Sequence, residues 1–217
     1  MLGLAKVTGA VMAAVTAGVA TMGGWAVVTV RDLPEYFVAG QQYTIEFQVR
    51  QHGSHLLSQL EPRLLVSGSE RKGETIVPAV ARSAEGTYAA TFTAPSVERV
   101  FLTIKSGFGN GQLRLYAQPV VASGASRASM ADADRGRVLF VAKGCNACHA
   151  NADLTDRPDN QEIAVGPALG GRRLARQYVI QKLTSPASQV MPDLGLSQAE
   201  VRALAAFLAP EAGATGR

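Results

Sequence analysis

The residues best equipped for chemistry are Cys145-Asn146-Ala147-Cys148-His149. Two thiols three positions apart, followed at once by an imidazole, form a C-x-x-C-H motif, the pattern by which a c-type haem is attached. The spacing has a chemical reason. Thiols so placed at the end of a helix can each add to one vinyl group of a single porphyrin. The next residue, His149, then sits where a neutral imidazole nitrogen can bind the iron. Cys145 and Cys148 are the only cysteines in the chain, so no thiol is left for a structural disulfide. Two other chemistries use C-x-x-C. A thioredoxin-type dithiol follows a strand and opens a helix within a βαβ unit, whereas here a helical stretch precedes the motif. A structural zinc site wants two more Cys or His ligands nearby. The other two histidines, His52 and His55, lie roughly ninety residues upstream.

Haem iron in an electron carrier takes a second axial ligand, usually Met or His. Of the five methionines, Met1, Met12 and Met22 fall in or beside an N-terminal apolar segment, and Met130 precedes the helix leading into the motif. Met191 remains, 42 residues after His149, in Gln189-Val190-Met191-Pro192-Asp193-Leu194. Pro192 lacks an N–H and fixes its own φ, so this stretch reads as a loop able to present a thioether. The alternative is that Met191 fills a gap in the core. A His149/Met191 pair closes the iron to exogenous ligands, which favours electron transfer over oxygen or substrate chemistry.

The elements that position these residues read as helices. Asp132 to Lys143 ends at Gly144, Leu174 to Leu183 forms a middle helix, and Ser197-Gln198-Ala199-Glu200 is an S-x-x-E capping box opening a helix to Leu208. In this order and spacing, residues 131–210 resemble a class I (monohaem) cytochrome c domain. The resemblance covers about 80 residues, is specific for haem binding, and is silent about the redox partner. It pairs the small Gly136 and aromatic Phe140 of the first helix with Leu204 and Phe207 of the last. It also implies that Gly166-Pro167-Ala168-Leu169 is the family's G-P-x-L loop. There Pro167 packs on the proximal histidine and its carbonyl orients the imidazole N–H. Arg172, Arg173, Arg176 or Tyr178, just after that loop, is a candidate partner for a haem propionate, with Arg176 carried as the choice. The plainer reading is a solvated helix face.

The chain has 217 residues, long for a monohaem cytochrome and enough for two domains. From Trp25 to Val121 short β-rich runs alternate with turn residues. The runs are Trp25–Val30, Tyr43–Val49, Arg63–Val66, Thr75–Val80, Tyr88–Thr93, Val100–Ile104 and Leu113–Tyr116. Seven strands in this span predict an all-β immunoglobulin-like sandwich. Gly86 to Pro95 is weakly similar to small periplasmic sandwich domains of the FixH/YtkA-like kind. Because some copper-binding sandwiches share this architecture, His52 and His55 in Gln51-His52-Gly53-Ser54-His55 are candidate metal ligands. A type I copper site would also want a cysteine, and both are committed to haem. A docking or structural role is the plainer expectation for this domain. The resulting division is 25–121 sandwich, 122–130 flexible Gly/Ser/Ala linker able to let the haem domain swing, 131–210 cytochrome c domain and 211–217 tail.

Residues 1–24 read as a signal peptide or a retained membrane anchor. Val7 to Met22 is uncharged, with small residues around Gly18–Ala20. Either reading places the haem outside the cytoplasm, in the periplasm or on the outer face of the membrane. Net charge is +4 but evenly spread, with no basic cluster interleaved with aromatics, so nucleic acid is not an expected partner. No Ser/His/Asp set and no second histidine in the haem domain suggest catalysis or a small-molecule substrate. The sequence therefore predicts a non-enzymatic, extracytoplasmic one-electron carrier with one covalent haem c, exchanging electrons with protein donors and acceptors. Two alternatives are a haem-bearing subunit docked in a larger membrane redox complex (oxidase, dehydrogenase or photosynthetic assembly) and a metal-handling or sensing protein using the sandwich.

Overall fold

The computed structural model describes residues 24–69, 73–186 and 191–210. Among the described residues, eleven strands precede four helices. The helical region starts at Asp132, after the Gly/Ser/Ala-rich stretch. The predicted leader within residues 1–23 and the tail at 211–217 lie outside the described residues.

Strands β1 (Ala26–Val30), β3 (Gln42–Gln51), β8 (Thr87–Thr93) and β7 (Val80–Ala81) lie side by side in that order, with β4 (His55–Leu56) pairing on β3. The second sheet runs β2 (Phe37–Val38), β11 (Gln118–Val121), β9 (Arg99–Lys105), β5 (Arg63–Ser67), β6 (Thr75–Pro78), with β10 (Gln112–Arg114) pairing on β9. All pairs are antiparallel except β11 with β2. The alternation in β3 sends Ile45, Phe47 and Val49 inward, all fully buried, against Tyr88, Leu102 and Ile104. Apolar side chains that alternate along facing strands are what two stacked sheets need for a shared core.

The predicted run Thr75–Val80 divides at Ala79. Its first part joins β5 and its second joins β8 in the other sheet. Pro78 has no N–H with which to continue a ladder, so the strand changes sheet there. Strand β11 escaped the sequence reading for a related reason: Pro119 interrupts a short run, yet Val120 and Val121 still pair with Phe37 and Val38.

The C-terminal unit is built on α1 (Asp132–Ala142) and α4 (Gln198–Leu208), with α3 (Arg176–Thr184) packed on α4. A Cβ at Gly136 would lie 2.0 Å from the Ala203 carbonyl oxygen and 2.8 Å from Phe207 Cβ. The two helices therefore cross through the space a side chain would fill. Beside the crossing, the Phe140 and Phe207 rings meet at 5.7 Å. The capping box at α4 is formed: Ser197 Oγ accepts from Glu200 N–H at 3.3 Å, and Glu200 Oε2 accepts from Ser197 N–H at 2.9 Å.

The two units are in direct contact, and their buried residues form one continuous apolar cluster. Lys143, at the end of α1, is only 4 % exposed. Its ammonium pairs with Glu200 at 2.6 Å and donates to the Arg31 carbonyl, while its own carbonyl accepts from Thr29 Oγ1 at 3.2 Å. Arg135 donates to the Leu33 carbonyl, Met130 N–H to Glu35, and Arg114 exchanges backbone bonds with the Asn160 amide at 2.7 and 2.9 Å. The linker's composition suggests a swinging tether, but these contacts oppose such motion. Parting the units would strip partners from buried polar groups, each worth about 1–3 kcal/mol when left unsatisfied.

Burial alone would raise the Glu200 carboxyl, but hydrogen bonds from Lys143 and Ser197 outweigh it and hold the group below its ordinary 4.5. The unfolded chain then binds this proton more readily than the folded one. The pair's stabilisation is thus complete above that ordinary value and is lost as pH falls through the lower folded value. Urea titrations across this range should show a steeper acid loss for the native chain than for Glu200→Gln; parallel curves would refute the assignment. Gly136→Ala should destabilise by about 1–3 kcal/mol or more, since overpacking here pushes one helix backbone off another.

Candidate haem site

Gly144 ends α1 with φ +75°, the left-handed conformation favoured at a helix C-terminus. The chain then turns into α2 (Cys145–Cys148), one separate helical turn rather than the end of α1. His149 leaves it in extended conformation, its N–H still bonded to the Cys145 carbonyl at 2.9 Å. The two thiols and the imidazole are thus fixed to one short backbone segment.

A second segment clamps this one. Ile163 N–H donates to the Ala147 carbonyl, Gly166 N–H to Cys148 and Leu169 N–H to Ala150, each at 2.8 Å. This pairing brings Pro167 to His149, with the Pro167 carbonyl oxygen 2.8 Å from His149 Nδ1. A carbonyl only accepts, so the Nδ1 proton is held there and Nε2 keeps its lone pair for a metal. Gly166 is required for the approach: a Cβ there would stand 2.5 Å from His149 Cε1 and 2.6 Å from Nδ1.

The thiol environment is apolar. Burial, with the neighbouring Cys148 second, pushes the Cys145 thiol up to about 12, and burial also raises Cys148. Both are therefore held as neutral thiols at physiological pH, and no disulfide joins them. Among the described residues, no group of three or more His, Cys, Asp or Glu is placed to hold a metal ion. The donors gathered here are two thiols and one imidazole with a fixed tautomer. That set suits a porphyrin bound through its substituents and one iron bond.

The other predicted site residues fall as follows. Met191 is partly buried and packs against the continuous apolar cluster. Arg176 opens α3 and is half-buried, while Arg172 hydrogen-bonds the Ala168 carbonyl at 3.2 Å. Tyr178 is exposed, with the Lys182 ammonium over its ring. His52 occupies a turn and His55 opens β4, its Nδ1 3.0 Å from Ser54 Oγ. Sequence reasoning missed what the sandwich contributes. A Cβ at Gly144 would lie 2.5 Å from Val27 Cγ1 and 2.7 Å from the Val28 carbonyl oxygen. The haem motif is thus seated directly on β1. No local signal betrays a contact between residues more than a hundred positions apart.

Residues 131–208 match the family model described as cytochrome C oxidase, cbb3-type, subunit III. They are a class I-like cytochrome c domain. No curated protein matches the chain. Solved structures similar to parts of it include the filamin domain of Lin-41, at 21% identity and TM-score 0.34 over 44% of this chain and 91% of that one. Superoxide reductase (neelaredoxin) from Ignicoccus hospitalis is similar at 16% identity and TM-score 0.32 over 44% and 80%. The ZirS C-terminal domain is similar at 16% identity and TM-score 0.30 over 52% and 86%. Each score lies below the level at which a shared fold follows.

Within the cytochrome c domain, Gly166→Ala should push the His149 ring off the Pro167 carbonyl. In the haem-loaded protein this should appear as a mixed-spin optical spectrum in place of a low-spin one. An unaltered low-spin spectrum would show that the ring tolerates the methyl group.

Proposed function

We propose that this chain is an extracytoplasmic one-electron transfer protein carrying a single haem c joined to Cys145 and Cys148, with His149 and Met191 as axial ligands. The observation that supports it most is the imidazole clamp: His149 Nδ1 on the Pro167 carbonyl, one residue after two neutral thiols, in a domain of cytochrome c type. When bound, the haem supplies a reversible one-electron couple. The protein's own part is to hold the imidazole tautomer, exclude water and close the sixth position. Met191 approaches from the segment before α4, the helix that crosses α1. Arg176, at the start of α3, is proposed to pair with a propionate, since its fork geometry suits a carboxylate.

The sandwich is inferred to be immunoglobulin-like. The observed orders, β1-β3-β8-β7 and β2-β11-β9-β5-β6, follow the A-B-E-D and G-F-C arrangement of that architecture, with β2 as an added first-strand segment and β6 beside C. Its role here is to dock the haem domain.

A second reading is that the chain serves as a haem-bearing subunit of a larger membrane redox complex. The matched family's description as an oxidase subunit favours it. Among the described residues no helix is long and apolar enough to cross a membrane, and on this reading the N-terminal apolar segment, Val7 to Met22, is the proposed anchor. N-terminal sequencing separates the two: a mature chain that starts near Trp25 and runs as a monomer counts against the subunit reading.

Pyridine haemochrome analysis should give one c-type haem per chain, and the oxidised protein should show the far-red methionine-to-iron charge-transfer band. Met191→Ala should abolish that band while leaving the haem attached. A band that survives the substitution would assign the sixth ligand elsewhere.

A further inference from the structure

The turn between β3 and β4 reaches the haem motif from the sandwich. Gly53, buried and at φ +77°, is its apex. A Cβ at Gly53 would lie 3.5 Å from Cys148 Sγ, 3.6 Å from Trp25 Cη2 and 3.8 Å from Val27 Cγ2. Three side chains therefore converge on one point: the second haem-bearing thiol, the only tryptophan of the chain and a core valine of β1. The turn is pinned in place. His52 N–H donates to the Trp25 carbonyl at 3.0 Å, Ser54 N–H donates to Gln51 at 3.1 Å, and the exposed His52 ring lies 5.8 Å from the Trp25 ring. These are ordinary van der Waals distances, so the turn packs against Cys148 without crowding it, and the positive φ is what favours glycine at the apex.

We propose that Trp25 and the 52–54 turn are the sandwich's wall over the Cys148 edge of the haem, and that by excluding water there they raise its reduction potential. The inference rests on the haem reading above. The physical reason is the charge difference between redox states. Oxidised iron carries one more positive charge, water stabilises that charge, and an apolar cover therefore favours the reduced state. Trp25 suits the task because its ring is large and rigid, is half-buried, and packs at the same turn apex as the Cys148 thiol. The β domain is then part of the redox centre's surroundings as well as its docking platform.

The test uses the full-length haem-loaded protein and its Trp25→Ala and Trp25→Phe variants. Val80→Ala, an exposed position on edge strand β7, is the control. Potentiometric titration should place Trp25→Ala at a lower potential than the native chain. Trp25→Phe should recover most of the shift, and Val80→Ala should show none. Haem content and the methionine charge-transfer band should be the same in all four. An unchanged potential in fully loaded Trp25→Ala overturns the proposal and leaves the haem assignment standing. A native chain without a c-type haemochrome overturns the haem assignment instead. Should Trp25→Ala not fold, the native protein still decides. Trp25 emission should be strongly quenched in the folded holoprotein and recover in guanidinium, and emission undiminished by folding overturns the proposal.

Discussion

The C-terminal unit depends on an absence: Gly136 has no side chain, and α4 occupies the space one would need. That close crossing sets the positions of both flanking functional segments. The haem motif begins three residues after α1 ends, and Met191 precedes α4 by a short loop. Their relative placement is inherited from the contact between the helices. The aromatic pair Phe140 and Phe207 fills the space beside the glycine, so the crossing point is determined by shape on both sides. Close-packed interiors resist a change of even one methylene group, which is why such a contact can serve as a rigid reference.

The crossing is reinforced at its open end by a charge. Lys143 is buried, and a buried ammonium is costly unless paired and hydrogen-bonded. Glu200 at the first turn of α4 supplies the opposite charge, and the Arg31 carbonyl supplies an acceptor from the sandwich. Glu200 also closes its own helix's capping box, so one carboxylate serves the cap and the ion pair. The polar chain extends into the β domain. Thr29 donates to the Lys143 carbonyl and accepts from Arg50, whose guanidinium burial pushes below its ordinary range. Two buried cations, each with its own acceptors and linked through Thr29, make this interface directional, whereas apolar packing alone would tolerate sliding.

Local chemistry was legible in the sequence and long-range pairing was not. C-x-x-C-H, G-P-x-L and S-x-x-E are short patterns whose residues act on near neighbours, and the clamp at Pro167 and the cap at Ser197 appear where those patterns lie. Long alternating strands such as β3 were readable because one face must be apolar. The two-residue strands β2 and β4 carry too little periodicity to read, and Pro119 disguises β11. The extra turn α2 was hidden because Gly144 reads equally well as an end or as a hinge. The Gly/Ser/Ala composition of residues 122–130 speaks of chain flexibility but says nothing of the surfaces it joins. Those surfaces are made of Val27, Thr29 and Arg31 meeting Gly144 and Lys143, residues ordinary in type and distant in sequence.

The joined surfaces bear on how an electron carrier of this build would work. A tethered domain reaches its partners by swinging, and its redox centre would then see water on every side. Here the same strand, β1, meets the C-x-x-C-H segment through Val27 and Val28, and Trp25, just before it, packs at the Gly53 apex beside Cys148. Releasing the haem domain would unpair Lys143 from Arg31, Arg135 from Leu33 and Asn160 from Arg114, and would expose the Cys148 edge at the same time. Mobility and a protected haem edge are therefore competing designs for this chain, and the buried polar contacts favour the second.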